Sequence, residues 1–336
     1  MTAHSCLRLA GIALAGAILG FSGAAVAQNI KIGLIMEARP AEQPWSAAIF
    51  DSAEKLKKED KGVSFSQSFK AFDPTSAEPI ARQLLADGHK VMVMHSFALN
   101  DVAHKLAGEF KAIPVSVSSF DPPVQPNLTI ATASYLQIGY SNCWLLAKLS
   151  KSGKIGFVGA MPIPYATELQ LGCELGAKAA RGDAQVLAAY SNSFVDQQAT
   201  REQAQGVVDR GADTLFPASA TQDSLGGFQL CEQAKIPCAG WASDARRYSP
   251  NYAAASAVVD WTVMLKEFVK QARSGKLSAT TFDATFQNGG LTPQPFEGAS
   301  AKVVPADVQA GYLKVVDDLK QGKIKLPKSK AHPCCP

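Results

Sequence analysis

Eight side chains carry the chemistry that this sequence offers: Trp45, Ser96, Phe97, Phe120, Phe194, Asp196, Trp241 and Asp244. Five are aromatic, two are carboxylates and one is a hydroxyl. Flat aromatic faces hold a planar ring by stacking, and a few polar groups fix its orientation. That is binding chemistry, suited to a planar heterocycle. Catalysis finds little support, because the sequence has no Gly-x-Ser-x-Gly elbow, no Gly-x-Gly-x-x-Gly turn and no Gly-x-x-x-x-Gly-Lys-Ser/Thr loop. Cys143, Cys173 and Cys231 fall within predicted helices, away from any place for a nucleophile. His89, His95, His104 and His332 are scattered, there is no Cys-x-x-Cys, and no metal site or cofactor is expected. His95 reads as a strand residue rather than a base.

What must position these residues is a duplicated scaffold. Lys31-Ile32-Gly33-Leu34-Ile35 returns as Lys154-Ile155-Gly156-Phe157-Val158, Gly88 returns as Gly211, and Asp121 returns as Asp244. The differences 154 less 31, 211 less 88 and 244 less 121 all give 123. Asp73 and Asp196, Ser96 and Ser219, and Ile113-Pro114 and Ile236-Pro237 keep the same offset. A register held this long means two similar lobes in tandem, each the size of a small domain.

Within each lobe, short apolar runs alternate with segments of helical period. In lobe one the strands are Ile30 to Met36, Val63 to Phe69, Val91 to Met94 and Pro114 to Val117, with helices Trp45 to Lys58, Ala77 to Ala86 and Asn100 to Phe110 between them. Lobe two follows with strands at Ile155, Val186, Thr214 and Pro237, and helices Ala166 to Ala180, Thr200 to Asp209 and Leu225 to Ala234. This alternation predicts an α/β fold of two doubly wound parallel-sheet lobes joined by a hinge. Ligands of such sheets bind beyond the carboxyl ends of the strands, and the eight candidates, with Phe72, lie at those ends. Each has a local alternative. Phe72 or Phe97 can cap a sheet core, and Asp73 and Asp196 stand where helix N-caps stand. Asp244 follows a strand with no obvious helix to cap.

The chain is expected to cross between lobes near Thr129 to Ser134. Later pieces are a helix from Val258 to Arg273, a strand-like stretch from Phe282 to Phe296 turning at Gly289-Gly290, and a helix from Pro305 to Gln321. The expected division is residues 28–132 with about 258–280 in lobe one, and 133–257 with about 281–326 in lobe two. A Lys- and Pro-rich tail over 327–336 is expected to be disordered.

Residues 1–27 belong to neither lobe. His4 and Arg8, the apolar run Leu9 to Leu19 and the ending Ala25-Val26-Ala27 predict a cleaved secretory signal peptide. The other reading is an uncleaved anchor, since Leu9 to Ala27 is nearly long enough to span a bilayer. Export makes disulfides permissible, and Cys143 with Cys173, or Cys231 with Cys238, either pair or remain buried thiols. The net charge of +4 and the lack of a basic cluster interleaved with aromatics exclude nucleic acid as a partner.

The run Ser152-Gly153-Lys154-Ile155-Gly156-Phe157-Val158-Gly159-Ala160-Met161-Pro162-Ile163-Pro164 resembles the lobe-two opening of the basic membrane protein family of ABC-transporter substrate-binding proteins. Pro44-Trp45, Ser96-Phe97, Asn192-Ser193-Phe194 with Asp196, Arg210-Gly211-Ala212-Asp213, Gly240 with Ser243-Asp244, and Gly322 to Pro327 extend the likeness from Ile30 to Pro327. The resemblance implies a type I periplasmic-binding fold that closes on a purine nucleoside or base, with Trp45 and Phe194 as the stacking pair and Asp244 as a ligand-contacting carboxylate. It also implies a monomer in the periplasm whose partners are a purine-like small molecule and an inner-membrane ABC permease. A sensor subunit that presents its liganded form to a membrane receptor is the alternative. Ile49, Gln137 and Ala220 depart from the family, which carries polar groups at these places.

Overall fold

The computed structural model describes residues 29–69 and 73–329, together with Met1. The expected signal peptide and Phe72 lie outside the described residues, as do the tail cysteines Cys334 and Cys335. In the first half, β1 (Ile30–Met36), α1 (Pro44–Glu59), β2 (Val63–Ser68), α2 (Pro74–Ala86), β3 (Val91–His95), α3 (Asn100–Glu109), β4 (Val115–Ser118) and β5 (Leu128–Ala133) follow in order. After α4 (Tyr135–Leu149), the order repeats. The second set is β6 (Lys154–Gly159), α5 (Pro164–Ala180), β7 (Gln185–Tyr190), α6 (Gln197–Asp209), β8 (Thr214–Pro217), α7 (Ser224–Ala234), β9 (Cys238–Ala242) and β10 (Ala253–Val259). Then come α8 (Thr262–Ser274), β11 (Thr280–Ala284), β12 (Leu291–Pro293), α9 (Ala299–Val303) and α10 (Ala306–Lys320).

The repeat in the sequence is a repeat in space. One sheet has the order β2-β1-β3-β4-β5-β11 and the other β7-β6-β8-β9-β10-β12. Pairing is parallel, except that β12 runs antiparallel to β10. Local devices recur as well. Asp73 caps α2 by accepting from Ser76 N at 2.9 Å, and Asp196 caps α6 by accepting from Ala199 N at 3.0 Å. Gly88 and Gly211 close the following turns at φ of 85° and 98°, a conformation that glycine adopts without a Cβ penalty.

Each sheet is covered on both faces. Along β3, Val91 and Val93 join the large core cluster that also holds α1 and α8 residues, while Met92 and Met94 join the cluster under α2 and α3. This is the side-to-side alternation of a strand buried on both faces. In the second lobe α6 and α7 cover one face, and α4 with α5 back the other.

The lobe division differs from the sequence reading in its late segments. β10 continues to Val259, so the predicted helix from Val258 starts only at Thr262. Phe282 to Phe296 is not a hairpin: β11 pairs with β5 in the first sheet and β12 with β10 in the second. Residues 281–284 therefore belong with lobe one. The chain crosses between sheets at Ser134, at Asp260-Trp261 and over 285–290. Helices are exchanged by these crossings, since α4 leaves the first sheet to pack on α5 and α8 leaves the second to pack on α1. Residues 327–329 are placed against the hinge, with Ser329 Oγ 2.9 Å from Glu168 Oε1, where the sequence suggested a disordered tail.

Cys143 and Cys173 form a disulfide between α4 and α5, while Cys231 and Cys238 are free and buried. The two helices cross on glycines. A Cβ at Gly139 would lie 2.1 Å from Leu169 O, and one at Gly176 would lie 2.1 Å from Tyr140 O. Only glycine permits such an approach.

Candidate functional site

The carboxyl ends of the two sheets face each other, and side chains from both lobes meet there. α1 begins at Pro44, which suits a first helical position because it has no N–H to satisfy. The next amide, on Trp45, donates across the lobe boundary to Ala220 O at 2.9 Å. The Trp45 ring stacks on His95 with centroids 4.4 Å apart and planes 10° apart, and it meets Trp241 of lobe two at 5.8 Å. Trp261 closes a third side, edge-on at 5.5 Å. His95 is buried, which pushes its pKa down to about 3. It is therefore neutral, and its Nε2–H donates to Trp45 O at 3.1 Å. Its ring supports the indole.

A second aromatic row runs beside the first. Phe120 stacks on Phe97 at 4.7 Å, and Phe97 lies nearly parallel to Tyr165 of lobe two at 6.5 Å. Tyr165 continues to Trp241 at 6.4 Å and to Tyr135 at 5.5 Å. Trp241 is held by its Nε1–H, which donates to Ala218 O at 2.7 Å. The strand end that carries it is strained, because the next residue, Ala242, has φ of 70°, a left-handed conformation costly for a residue with a Cβ.

The lobes are closed on each other. At the rim Arg247 Nη2 lies 2.9 Å from Asp51 Oδ2, and Tyr248 Oη donates to Pro40 O at 3.2 Å. At the hinge the Gln137 amide donates to Gln287 Oε1 at 2.8 Å and accepts from Phe286 N at 3.0 Å. Gln137, in the first turn of α4, thus ties that helix to the crossing segment 285–290.

Carboxylates surround the tyrosines. Glu37, at the end of β1, accepts from Gln43 Nε2 at 2.8 Å and is raised in pKa by burial. Asp223 accepts from Ser219 Oγ at 2.7 Å, Thr221 Oγ1 at 2.6 Å and Thr200 Oγ1 at 3.0 Å, and burial raises it too. Tyr165 is pushed well above the usual phenol range by burial first, and then by the Asp223 charge. Tyr135 is raised in the same way, by burial and then by Asp283 and Glu168.

Of the eight candidates, Trp45, Phe97, Phe120 and Trp241 come together in this interface, and buried Ser96 caps the turn that presents Phe97. Trp45 and Phe194 do not meet as a pair, since the ring partners of Trp45 are His95, Phe97, Trp241 and Trp261. Phe194 is half-buried in the loop before α6, where its carbonyl accepts from Asp223 N at 3.3 Å. Asp196 is exposed and serves as a cap. Asp244 does have a helix to cap, the single turn Ala245–Arg247, and its carboxylate also holds Arg246 Nη2 at 2.5 Å. A short-range bidentate pair of this kind leaves no sequence signature. Glu37, Tyr135, Tyr165, Glu168, Asp223 and Asp283 were not among the eight. Tyr165 had a signal, since it follows the first strand end of lobe two.

The profile of the family described as ABC transporter substrate-binding protein PnrA-like matches residues 29–291. The chain belongs to this family. PnrA-like proteins are substrate-binding components of ABC transport systems and not enzymes, which agrees with a cleft built of aromatic faces. A purine-binding protein from Brucella abortus is 26% identical over 314 residues, covering 93% of this chain and 86% of that protein. The ABC transporter nucleoside-binding protein BmpA from Lactococcus lactis is 25% identical and covers 97% of this chain and 98% of its own. Among solved structures, an ABC transporter solute-binding protein from Conexibacter woesei superimposes with a TM-score of 0.75 at 26% identity, over 89% of this chain and 98% of that one. No helix among the described residues is long and apolar enough to cross a membrane.

Proposed function

We propose that this chain binds a planar nucleobase or nucleoside-like ligand, with purines favoured, and delivers it to an inner-membrane ABC permease. It works as a monomer in the periplasm, exported by a cleaved signal peptide. The observation that carries this reading is the meeting of aromatic faces from both lobes at the carboxyl ends of both sheets, Trp45, Phe97 and Phe120 against Tyr165 and Trp241. A flat ring placed between them contacts both walls only when the lobes are closed. The names of the Brucella and Lactococcus relatives point to the same ligand class.

Binding then works by population shift. Opening breaks Trp45 N to Ala220 O and the Arg247–Asp51 pair, admits ligand, and exposes both walls to water. Ligand bridging both walls binds the closed form better, and only that difference in affinity drives closure.

Thermal-shift and calorimetric titrations against purines, nucleosides, flavins and sugars test the reading. Stabilisation by purines or nucleosides is expected. A response to sugars alone would sink it. Solution scattering should show a smaller radius of gyration at saturation, and an unchanged radius would count against hinge closure.

A further inference from the structure

The single helical turn Ala245–Arg247, which follows β9 at the rim of the cleft, is fastened to lobe two from several sides. Asp244 caps it by accepting from Arg246 N at 2.9 Å. The same carboxylate holds the Arg246 guanidinium at 2.5 Å, and Glu297 lies 3.5 Å from Arg246 Nη1. Beneath the turn, a Cβ at Gly240 would lie 2.7 Å from Ala245 Cβ, so glycine lets the turn sit directly on the strand. Ser249 N donates to Ala245 O at 2.9 Å, and the Tyr248 ring stacks on buried Phe228 at 5.7 Å.

With Arg246 engaged inside lobe two, the next two side chains reach lobe one. Arg247 Nη2 meets Asp51 Oδ2 of α1 at 2.9 Å. Tyr248 Oη accepts from Ser243 Oγ at 3.4 Å and donates to Pro40 O at 3.2 Å. Lys55, one turn further along α1 from Asp51, is engaged by Asp260 at 2.5 Å. Lobe one has no matching device, since at the 123-residue offset Arg246, Arg247 and Tyr248 correspond to Pro123, Val124 and Gln125. Both contacts exist only while the lobes meet, and neither uses the aromatic walls. A turn already fixed in one lobe loses little freedom when it docks on the other.

We infer that residues 244–248 form a closure latch, in which Arg247 and Tyr248 are positioning residues that set affinity by stabilising the closed form. Asp244 acts by holding the turn and not by touching the ligand. This rests on the proposed hinge closure around a planar ligand and adds the residues that set the closure equilibrium. The apparent Kd is the Kd of the closed form divided by the fraction of protein that is closed. A latch therefore changes the affinity for every ligand by one factor, whereas a residue that touches ligand changes different ligands unequally.

Solution scattering of the ligand-free protein, and calorimetry with hypoxanthine, adenine and inosine, test the latch in Arg247→Gln, Asp51→Asn and Tyr248→Phe. Each variant is expected to have a larger ligand-free radius of gyration than the native protein. Each should weaken all three ligands by a common factor of about threefold, the range for a part-exposed pair. Arg247→Gln combined with Asp51→Asn should be no worse than either alone, because the pair is lost only once. Unchanged radii, additive losses in the double variant, or an altered order of affinity among the three ligands overturns the inference. If none of the three binds the native protein, the planar-ligand reading fails and the ligand-free radii alone decide the latch.

Discussion

The two helix pairs that back the cleft occupy equivalent places in the two lobes and are held by different means. In lobe two, α4 crosses α5 on Gly139, Gly172 and Gly176, and the Cys143–Cys173 bridge fastens them. In lobe one, α8 lies on α1 through Trp261 N to Ser52 Oγ at 2.9 Å, Lys266 to Glu59 at 2.7 Å and Arg273 to Asp60 at 2.8 Å. At the 123-residue offset Gly176 corresponds to Ala53 and Cys143 to Lys266. Close backbone contact and a covalent link make one pair rigid. Surface ion pairs contribute little to the other, where burial of Ala53, Leu265 and Phe268 dominates. The lobe whose first helix carries Trp45 into the cleft is the one without the covalent fastening.

That contrast can be broken most sharply at the glycines. Gly176→Ala places a methyl against Tyr140 O, a backbone atom that cannot step aside, so a loss of about 3 kcal/mol or more is expected in urea unfolding. Ala53→Gly at the matching place should cost only about 1 kcal/mol. Equal losses would show that the two helix pairs are packed with equal tightness.

Removing the bridge with Cys143→Ala and Cys173→Ala comes next. The bond closes a loop with a sequence separation of 30 residues, for which about 3 kcal/mol is the expected contribution. Reductant should lower the melting temperature of the native protein and leave the double variant unchanged.

The strand ends differ as the helices do. His95, Ser96 and Phe97 correspond to Ala218, Ser219 and Ala220, so one lobe supplies rings and the other supplies small residues whose carbonyls receive Trp241 Nε1 and Trp45 N. His95 has a folded pKa of about 3 against an unfolded value near 6.5. The unfolded chain takes up a proton first, so stability is full above 6.5 and falls as pH drops from there toward 3. About 2 kcal/mol should be lost between pH 7 and pH 5, and His95→Phe should flatten that slope in chemical unfolding. At constant pH, Trp45→Ala should weaken ligand binding at least about tenfold in calorimetry, beyond any loss of stability, because a stacked face is worth about 1 kcal/mol over its area. A Trp45→Ala protein that binds normally would remove Trp45 from the site.

The smallest effects lie where the lobes agree. Asp73→Ala and Asp196→Ala should each give a small and similar loss of stability through their caps and leave affinity unchanged. Unequal losses would show that the two caps, alike in geometry, are not alike in energy.

What the sequence determined by itself was whatever depends on neighbours along the chain. Alternating strand and helix periods, Asp73 and Asp196 as caps, Gly88 and Gly211 as turns and the 123-residue register all express local backbone preference, and they specified two doubly wound lobes. Because parallel strands end on one side of their sheet, the chain positions of Trp45, Phe97, Phe120 and Trp241 suffice to put them at the interface. Tertiary structure alone decided the exchange of α4 and α8 between lobes and the choice of Cys143–Cys173 over Cys231–Cys238. It also decided that Glu37, Glu168, Asp223 and Asp283, far apart in the chain, converge on Tyr135 and Tyr165. The physical reason is range. Helix and strand periods are written within a few residues, whereas the burial of a carboxylate and the charges it faces depend on how two separately folded sheets dock.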